Sequence, residues 1–223
     1  MKQTTAFPLL MAALASAAAP AVLVKELPNK CQTYPGAHQI GQNGCEAQFQ
    51  IYADSTGNAA VDGKHATLGA SEPADFPEEA WGRVAIVSDQ TLAWPRFAFG
   101  ELAASGFSGL AVYTSDPVTG GAADWTHIML RDDVEKLQLL YHYVVAGYPL
   151  APYAHYDAET GENRIPGVFL GLNFQTTWAF SVVKGTNNGD LYAFRLLANE
   201  TAPLRGDEFE GFLRVGNQGE GTD

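Results

Sequence analysis

The chain has 223 residues, of which 46% are hydrophobic and 17% are charged. This composition excludes a disordered chain, which would have fewer apolar residues and more charge, and the length suits one ordinary domain. The formal net charge of −12 opposes binding to phosphate groups, so we expect neither nucleic acid nor an anionic membrane as a partner.

The N-terminal residues have the features of a secretory signal peptide. Lys2 gives a basic start, and residues 7–15 form a short apolar run. Ala15-Ser16-Ala17 has the small-x-small pattern that signal peptidase cleaves, and Ala17-Ala18-Ala19 offers a second register. The alternative is a membrane anchor, for which this run is too short. We therefore expect residues 1–19 to be removed and the mature protein to be secreted, extracellular and free of the membrane.

Residues 20–46 form a Gly- and Gln-rich entry segment that carries both cysteines of the chain, Cys31 and Cys45. In a secreted chain an even pair indicates one disulfide. It would close a loop of about 15 residues and stabilise the fold by up to about 3 kcal/mol. A metal or redox role would need closer spacing or more ligands.

Residues 47–216 are predicted to form a single all-β domain. Short apolar or alternating runs are separated by turns rich in Gly, Pro, Asn and Asp. About nine strands, with at most one short helix, favour an antiparallel sandwich or barrel. Strands are predicted at Phe49 to Tyr52, Val84 to Val87, Arg96 to Phe99, Leu110 to Thr114, Trp125 to Leu130, Leu137 to Val145, Val168 to Phe174, Trp178 to Val183, Leu191 to Leu197 and Phe212 to Val215.

Two local patterns sharpen this prediction. Residues 131–143 fit a helix capped by Asp132-Asp133, but residues 137–145 also alternate as a strand, and we favour the strand. Asn188-Gly189 suits a turn with positive φ at both positions, which predicts a hairpin between the strands on either side. Residues 217–223 are predicted to be a frayed tail.

The known catalytic motifs are missing from the sequence. It contains no zinc-hydrolase pattern, phosphate-binding loop or dinucleotide fingerprint. Gly106-Phe107-Ser108-Gly109 resembles a nucleophile elbow, but Leu110 occupies the position that needs glycine. We therefore assign no catalytic residue, no metal ligand and no cofactor.

The segment from residue 141 to residue 157, here called the Tyr-rich segment, is the candidate binding region. It holds five of the nine tyrosines, and prolines make it a stiff, extended connection. Rings held this way suit the faces of sugars or extended peptides. The alternative is that the rings cover one end of the core. The candidate binding residues are Tyr143, Tyr148, Tyr153, His155, Tyr156 and Asp157.

Two further chemical roles are weaker alternatives. His142, His155 and Asp157 would bind a metal only if the fold brought them together. A polysaccharide hydrolase needs two carboxylates about 5 to 10 Å apart across a cleft. Asp124 is the most attractive catalytic acid, because the neighbouring Trp125 would desolvate it and raise its pKa.

Three features indicate an extracellular environment for the protein: the export signal, the early cysteine pair and the sequon Asn199-Glu200-Thr201. The sequon predicts an exposed, glycosylated Asn199. With the acidic β-rich body, these features resemble the small secreted proteins of filamentous fungi, a class that implies an apoplastic or cell-wall setting and effector, wall-associated or carbohydrate-binding roles. We expect a non-enzymatic protein that binds a glycan or an extracellular protein. The alternatives are a hydrolase and a structural surface protein without a ligand.

Overall fold

The computed structural model describes residues 18–40, 44–68, 81–88, 96–102, 107–114, 124–133, 136–142, 147–186, 189–199 and 201–217. The described residues lie mostly in strands, and they contain no helix of seven residues or more. Within these ranges, no helix has the length and apolarity needed to cross a bilayer. The predicted signal peptide, except its last two residues, and residues 218–223 of the predicted tail lie outside the described residues.

Fourteen described strands are joined by hydrogen bonds into one sheet. A short 3-10 helix, Cys31–Thr33, follows the first of them. In chain order the strands are β1 Val22–Glu26, β2 Ala37–Ile40, β3 Gly44–Asp54, β4 Ala66–Leu68, β5 Trp81–Val87, β6 Arg96–Leu102, β7 Phe107–Thr114, β8 Asp124–Asp133, β9 Lys136–His142, β10 Ala151–Asp157, β11 Arg164–Gly171, β12 Thr177–Thr186, β13 Gly189–Leu196 and β14 Phe209–Gly216.

The architecture is a single domain, and nine of these strands form a curled antiparallel part of the sheet, which is a half-barrel. β14 is the branch point of the sheet, since it pairs with β3 along one edge and with β12 and then β11 along the other. The prediction of a single-domain, antiparallel all-β sandwich or barrel is confirmed, and the curled sheet has the expected number of strands.

The N-terminal entry segment is part of this sheet. β1 pairs with β10, and β2 pairs with β3. β1 and β2 are the two ends of the strand order. The disulfide between Cys31 and Cys45 is formed, which confirms that prediction, and it ties the 3-10 helix to β3 across a Cα–Cα distance of 6.0 Å.

The core contains many aromatic side chains, which point inward from the strands of the sheet. On β3, Ala47, Phe49 and Ile51 are fully buried, Gln48 is half-buried, and the five residues from Phe49 to Ala53 are all buried. Trp178 is buried as well, and its indole N–H donates to the Leu170 carbonyl oxygen at 3.0 Å, so its one polar atom is satisfied. Each large apolar side chain buried in this way stabilises the fold by about 2 kcal/mol.

Most predicted strands are present, and one of them ends earlier than predicted. Residues 136–142 form β9, so the strand interpretation is confirmed over the helix. β12 and β13 pair from Trp178 opposite Leu196 to Thr186 opposite Gly189, which confirms the hairpin. Gly189, predicted to be in the turn, is the first residue of β13, and residues 187–188 lie outside the described residues. The strand predicted to reach Phe174 ends earlier, at Gly171, because the chain turns there.

The second half of the Tyr-rich segment is a strand inside the sheet, and not the connection between elements that its prolines suggested. Its second half is β10, which lies between β1 and β11 in the sheet. Residues 152–155 are all buried, so the alternation that marks a half-exposed strand is missing here. Pro152 is tolerated at this position because it stands near the beginning of the strand.

Candidate functional site

Two of the predicted binding residues lie in the interior. Tyr153 keeps 1% of its surface exposed and His155 keeps none. The expectation that these side chains are exposed is corrected, since β10 belongs to the core instead of lying over it. Tyr143 lies outside the described residues.

His155 is enclosed by aromatic rings. Its imidazole stacks on Phe169 with 3.7 Å between ring centroids and meets Phe212 edge-on at 4.5 Å. A hydrogen bond of 2.9 Å joins its Nε2 to Thr176 Oγ1. Burial lowers the pKa of His155 to about 4, and the negative charge of Asp54 offsets only part of that effect. The imidazole is therefore neutral at pH 7.

Tyr156 and Asp157, the last two residues of β10, interact with neighbouring side chains and backbone groups. The ammonium of Lys25 lies 4.0 Å from the ring centroid of Tyr156. Asp157 Oδ1 accepts hydrogen bonds from the Thr160 N–H at 2.8 Å, the Thr160 hydroxyl at 3.1 Å and the Glu159 N–H at 3.0 Å. The bonds from Thr160 hold the pKa of Asp157 below its usual value. Asp157 thus closes the turn between β10 and β11.

Tyr148 is exposed as predicted, with 52% of its surface accessible. Its backbone is fixed by two hydrogen bonds with Leu130, one in each direction, at 2.8 and 2.9 Å. It presents a ring on a firmly held backbone, away from β10.

A pocket of about 230 Å³ lies beside β10, and we call it the Phe174 pocket. One wall is the chain that enters β1, and the opposite wall is the turn that follows β11 together with the first residue of β12. Glu210 on β14 and Leu197 complete it. Its lining residues are Ala19, Pro20, Ala21, Val22, Val24, Phe174, Gln175, Thr176, Thr177, Leu197 and Glu210.

Phe174 stands on this pocket in an unfavourable backbone conformation. Asn173 and Phe174 have φ values of 50° and 64°, in the left-handed region that bulky residues avoid. Two hydrogen bonds between Leu172 and Gln175 close the two-residue turn around them, at 2.9 and 3.0 Å. The ring is nevertheless 56% exposed. Strain of this kind persists where the surrounding structure imposes it, and it is concentrated at functional sites.

The buried residues of β10 hold this turn in place. The Phe174 N–H donates to the Tyr153 hydroxyl oxygen at 3.2 Å, and the two rings lie 5.9 Å apart. His155 Nε2 forms a hydrogen bond with Thr176 Oγ1, just after this turn. Gly171 is also required, because a Cβ there would lie 2.1 Å from the Gln175 carbonyl oxygen. Tyr153 and His155 therefore support the pocket from behind its lining.

No known family model and no curated protein matches the chain. The role of the Phe174 pocket has to be argued from its own geometry.

The chemistry of the pocket suits binding. Its lining residues include the exposed Phe174 and three polar residues, Gln175, Thr177 and Glu210, whose side chains carry an amide, a hydroxyl and a carboxylate. Glu210 is the only carboxylate among the lining residues that the structure describes, whereas hydrolysis of a glycosidic bond needs a pair. The pocket holds about the volume of eight water molecules. That is below the range of drug-sized sites and close to one six-membered sugar ring.

The remaining predicted chemistry finds little structural support. The described residues contain no group of three or more His, Cys, Asp or Glu side chains placed to hold a metal ion. The side chain of Asp124, the candidate catalytic acid, lies outside the described part. Trp125 packs edge-on against Tyr113, with 5.4 Å between ring centroids.

The sequon lies on an exposed loop. Asn199 is exposed, and its side-chain oxygen accepts hydrogen bonds from the Thr201 N–H at 3.0 Å and the Thr201 hydroxyl at 2.9 Å. The loop is anchored by Arg195, which pairs with Glu208 at 2.7 and 2.9 Å and donates to the Pro203 carbonyl oxygen at 3.0 Å. An exposed position is what a glycosylated asparagine requires.

Proposed function

We propose that the protein is a non-enzymatic extracellular binding protein and that the Phe174 pocket takes a terminal sugar ring of a glycan. The observation that carries this proposal is the exposed, strained Phe174 over a pocket of one-ring size. Sugar faces pack on aromatic rings, and their hydroxyls bond to amides, hydroxyls and carboxylates such as those of Gln175, Thr177 and Glu210. The disulfide is compatible with the extracellular setting.

A sugar ring is favoured over an extended peptide by the dimensions of the site. A peptide of several residues needs a groove, whereas about 230 Å³ suits a single ring. The strong negative charge of the chain also makes anionic ligands poor candidates. The binding function is favoured over the hydrolase because the described residues of the pocket contribute one carboxylate and not two.

The test is a glycan array probed with the secreted protein, followed by titration of the best ligand. The Phe174→Ala variant should bind about tenfold more weakly, because it loses the aromatic face. Tyr148→Ala is the matched control, since it removes another exposed ring and should leave the affinity unchanged.

Each outcome of this experiment is decisive. Loss of binding in Tyr148→Ala with normal binding in Phe174→Ala would move the site to the exposed part of the Tyr-rich segment. Failure to bind any glycan, together with capture of a wall or host protein through Phe174, would replace the sugar with a protein partner. Absence of binding to both would overturn the proposal.

A further inference from the structure

Glu210 has an unusual hydrogen-bond partner. The Ala19 nitrogen, close to where the described chain begins, donates to its Oε2 at 3.3 Å. The nearby basic residues are engaged elsewhere, since Arg195 pairs with Glu208 and Arg214 with Asp54, both at 2.7 Å. Within the described ranges, no basic side chain forms an ion pair with Glu210. A cation at the Ala19 nitrogen would complete this site.

The Ala19 nitrogen lies at a bond that suits signal peptidase. Ser16-Ala17-Ala18 is a third register of the small-x-small pattern, with small residues in the first and last positions. Cleavage one residue later would place Pro20 directly after the bond, where its ring fixes φ and removes the N–H. That geometry makes the bond after Ala19 a poor substrate for an enzyme that grips extended chain.

We propose that the leader is removed between Ala18 and Ala19, one residue before the end of the predicted signal peptide, and that the new α-ammonium forms an ion pair with Glu210. A signal peptidase hydrolyses the bond, so that water supplies a hydroxyl to the Ala18 carbonyl carbon and a proton to the Ala19 nitrogen. The amine then takes a second proton from solvent at neutral pH. This inference depends on the expected secretion and not on the glycan ligand.

The change strengthens an existing contact. The neutral amide of the precursor already donates to the Glu210 carboxylate, and an ammonium at the same atom adds the attraction between two opposite charges. Ala19, Pro20, Ala21 and Val22 line the Phe174 pocket. Processing would therefore fix one wall of the pocket by a salt bridge between the first residue of the mature chain and β14.

The first measurement is the N-terminal sequence and intact mass of the full chain after secretion from a eukaryotic host. We expect the mature protein to begin at Ala19. A retained leader, or a start at Ala18 or Pro20, would overturn the inference. This measurement needs no variant, so it holds even if a substitution of Glu210 prevents folding.

The second measurement tests the ion pair itself. Only the neutral α-amine reacts with an acylating reagent, and a neighbouring carboxylate favours the ammonium. In the folded protein at pH 7 we expect the α-amine of Glu210→Gln to react about tenfold faster than that of the wild type. Glu159→Gln, which changes an exposed glutamate in the β10–β11 turn, is the control and should react like the wild type. Equal rates in wild type and Glu210→Gln would disprove the pair. Neither measurement involves a sugar, so both are independent of the proposed binding function.

Discussion

Phe174 combines a strained backbone with an exposed ring. Substitutions can separate the effect of the strain from the effect of the ring. Glycine adopts a φ of 64° without strain, whereas alanine keeps the strain and only loses the ring. We expect Phe174→Gly to be more stable than Phe174→Ala by about 1 kcal/mol, as measured by chemical denaturation. Both variants lose the ring contact with Tyr153, so this loss cancels in the comparison.

The same pair of variants links stability to function. Both should bind the sugar equally poorly, because neither has the aromatic face. If the alanine and glycine variants unfold at the same denaturant concentration, the backbone at this position is not strained in solution, and the argument from strain to function fails.

His155 makes the fold sensitive to mild acid. Burial lowers its pKa to about 4 in the folded protein, while an unfolded histidine titrates near 6.5. The unfolded chain therefore binds one more proton between these pH values, and stability is complete above pH 6.5 and falls as the pH drops toward 4. The loss should reach about 3 kcal/mol. Denaturation curves at pH 7, 6, 5 and 4 measure it.

The matching variant for this titration is His155→Phe, which keeps a ring against Phe169 but cannot bind a proton. Its stability should fall much less over the same interval, and the remaining loss is the part that His127 contributes, since burial lowers the pKa of that imidazole too. Below that interval both proteins should weaken together, since the carboxylates of Asp157 and Glu208 have lowered pKa values and lose their stabilising charge there. An equally steep loss between pH 6.5 and 4 in the variant would assign the effect to other groups.

At the scale of elements, the Arg195–Glu208 pair joins β13 to the loop that carries the sequon. Both side chains are about nine-tenths buried, so removing one charge leaves the other unpaired in the interior. Although burial alone would raise the pKa of Glu208, hydrogen bonds from Arg195 and the Arg205 N–H keep it below its usual value. We expect Glu208→Gln to lower the free energy of unfolding by about 2 kcal/mol.

The control for this prediction is Glu159→Gln, an exposed glutamate whose substitution should change stability by less than about 0.5 kcal/mol. Proteolysis of the native variant provides a second measurement, because the loop around Asn199 should become a cleavage site when its anchor is weakened. A Glu208→Gln variant as stable as the control would mean that the Pro203 carbonyl and solvent satisfy Arg195 without the carboxylate.

Strands that stand as short apolar or alternating runs between turn residues were predictable from the sequence. β8 alternates between buried and half-buried residues, and residues 136–142 alternate in the sequence as a strand does. β10 was not predicted because its prolines indicated a connection, so its tyrosine and histidine were interpreted as surface although residues 152–155 are all buried. The Phe174 pocket could not be predicted from the sequence, because its walls come from residues 19–24, 174–177, 197 and 210. Only the strand order brings these residues together. Asn173 was the available signal, since asparagine tolerates positive φ.

For the whole molecule, the sheet order predicts how stability is distributed. β3 and β14 are paired along both edges, and their shared ladder runs from Phe212 opposite Asp54 to Gly216 opposite Gln50. β1 and β2 end the strand order, and each is paired along one edge. Hydrogen exchange in β3 and β14 should therefore require global unfolding, while β1 and β2 exchange by local opening at least about 100-fold faster.

This gradient also provides a test of where the ligand binds. β1 and the turn after β11 form opposite walls of the Phe174 pocket, so a saturating sugar should slow exchange in both and leave β2 unchanged. In Phe174→Ala at the same sugar concentration, this added protection should largely disappear. If β1 is as slow as β14 without any ligand, the N-terminal strand unfolds only together with the core, and the pocket wall is already rigid before binding.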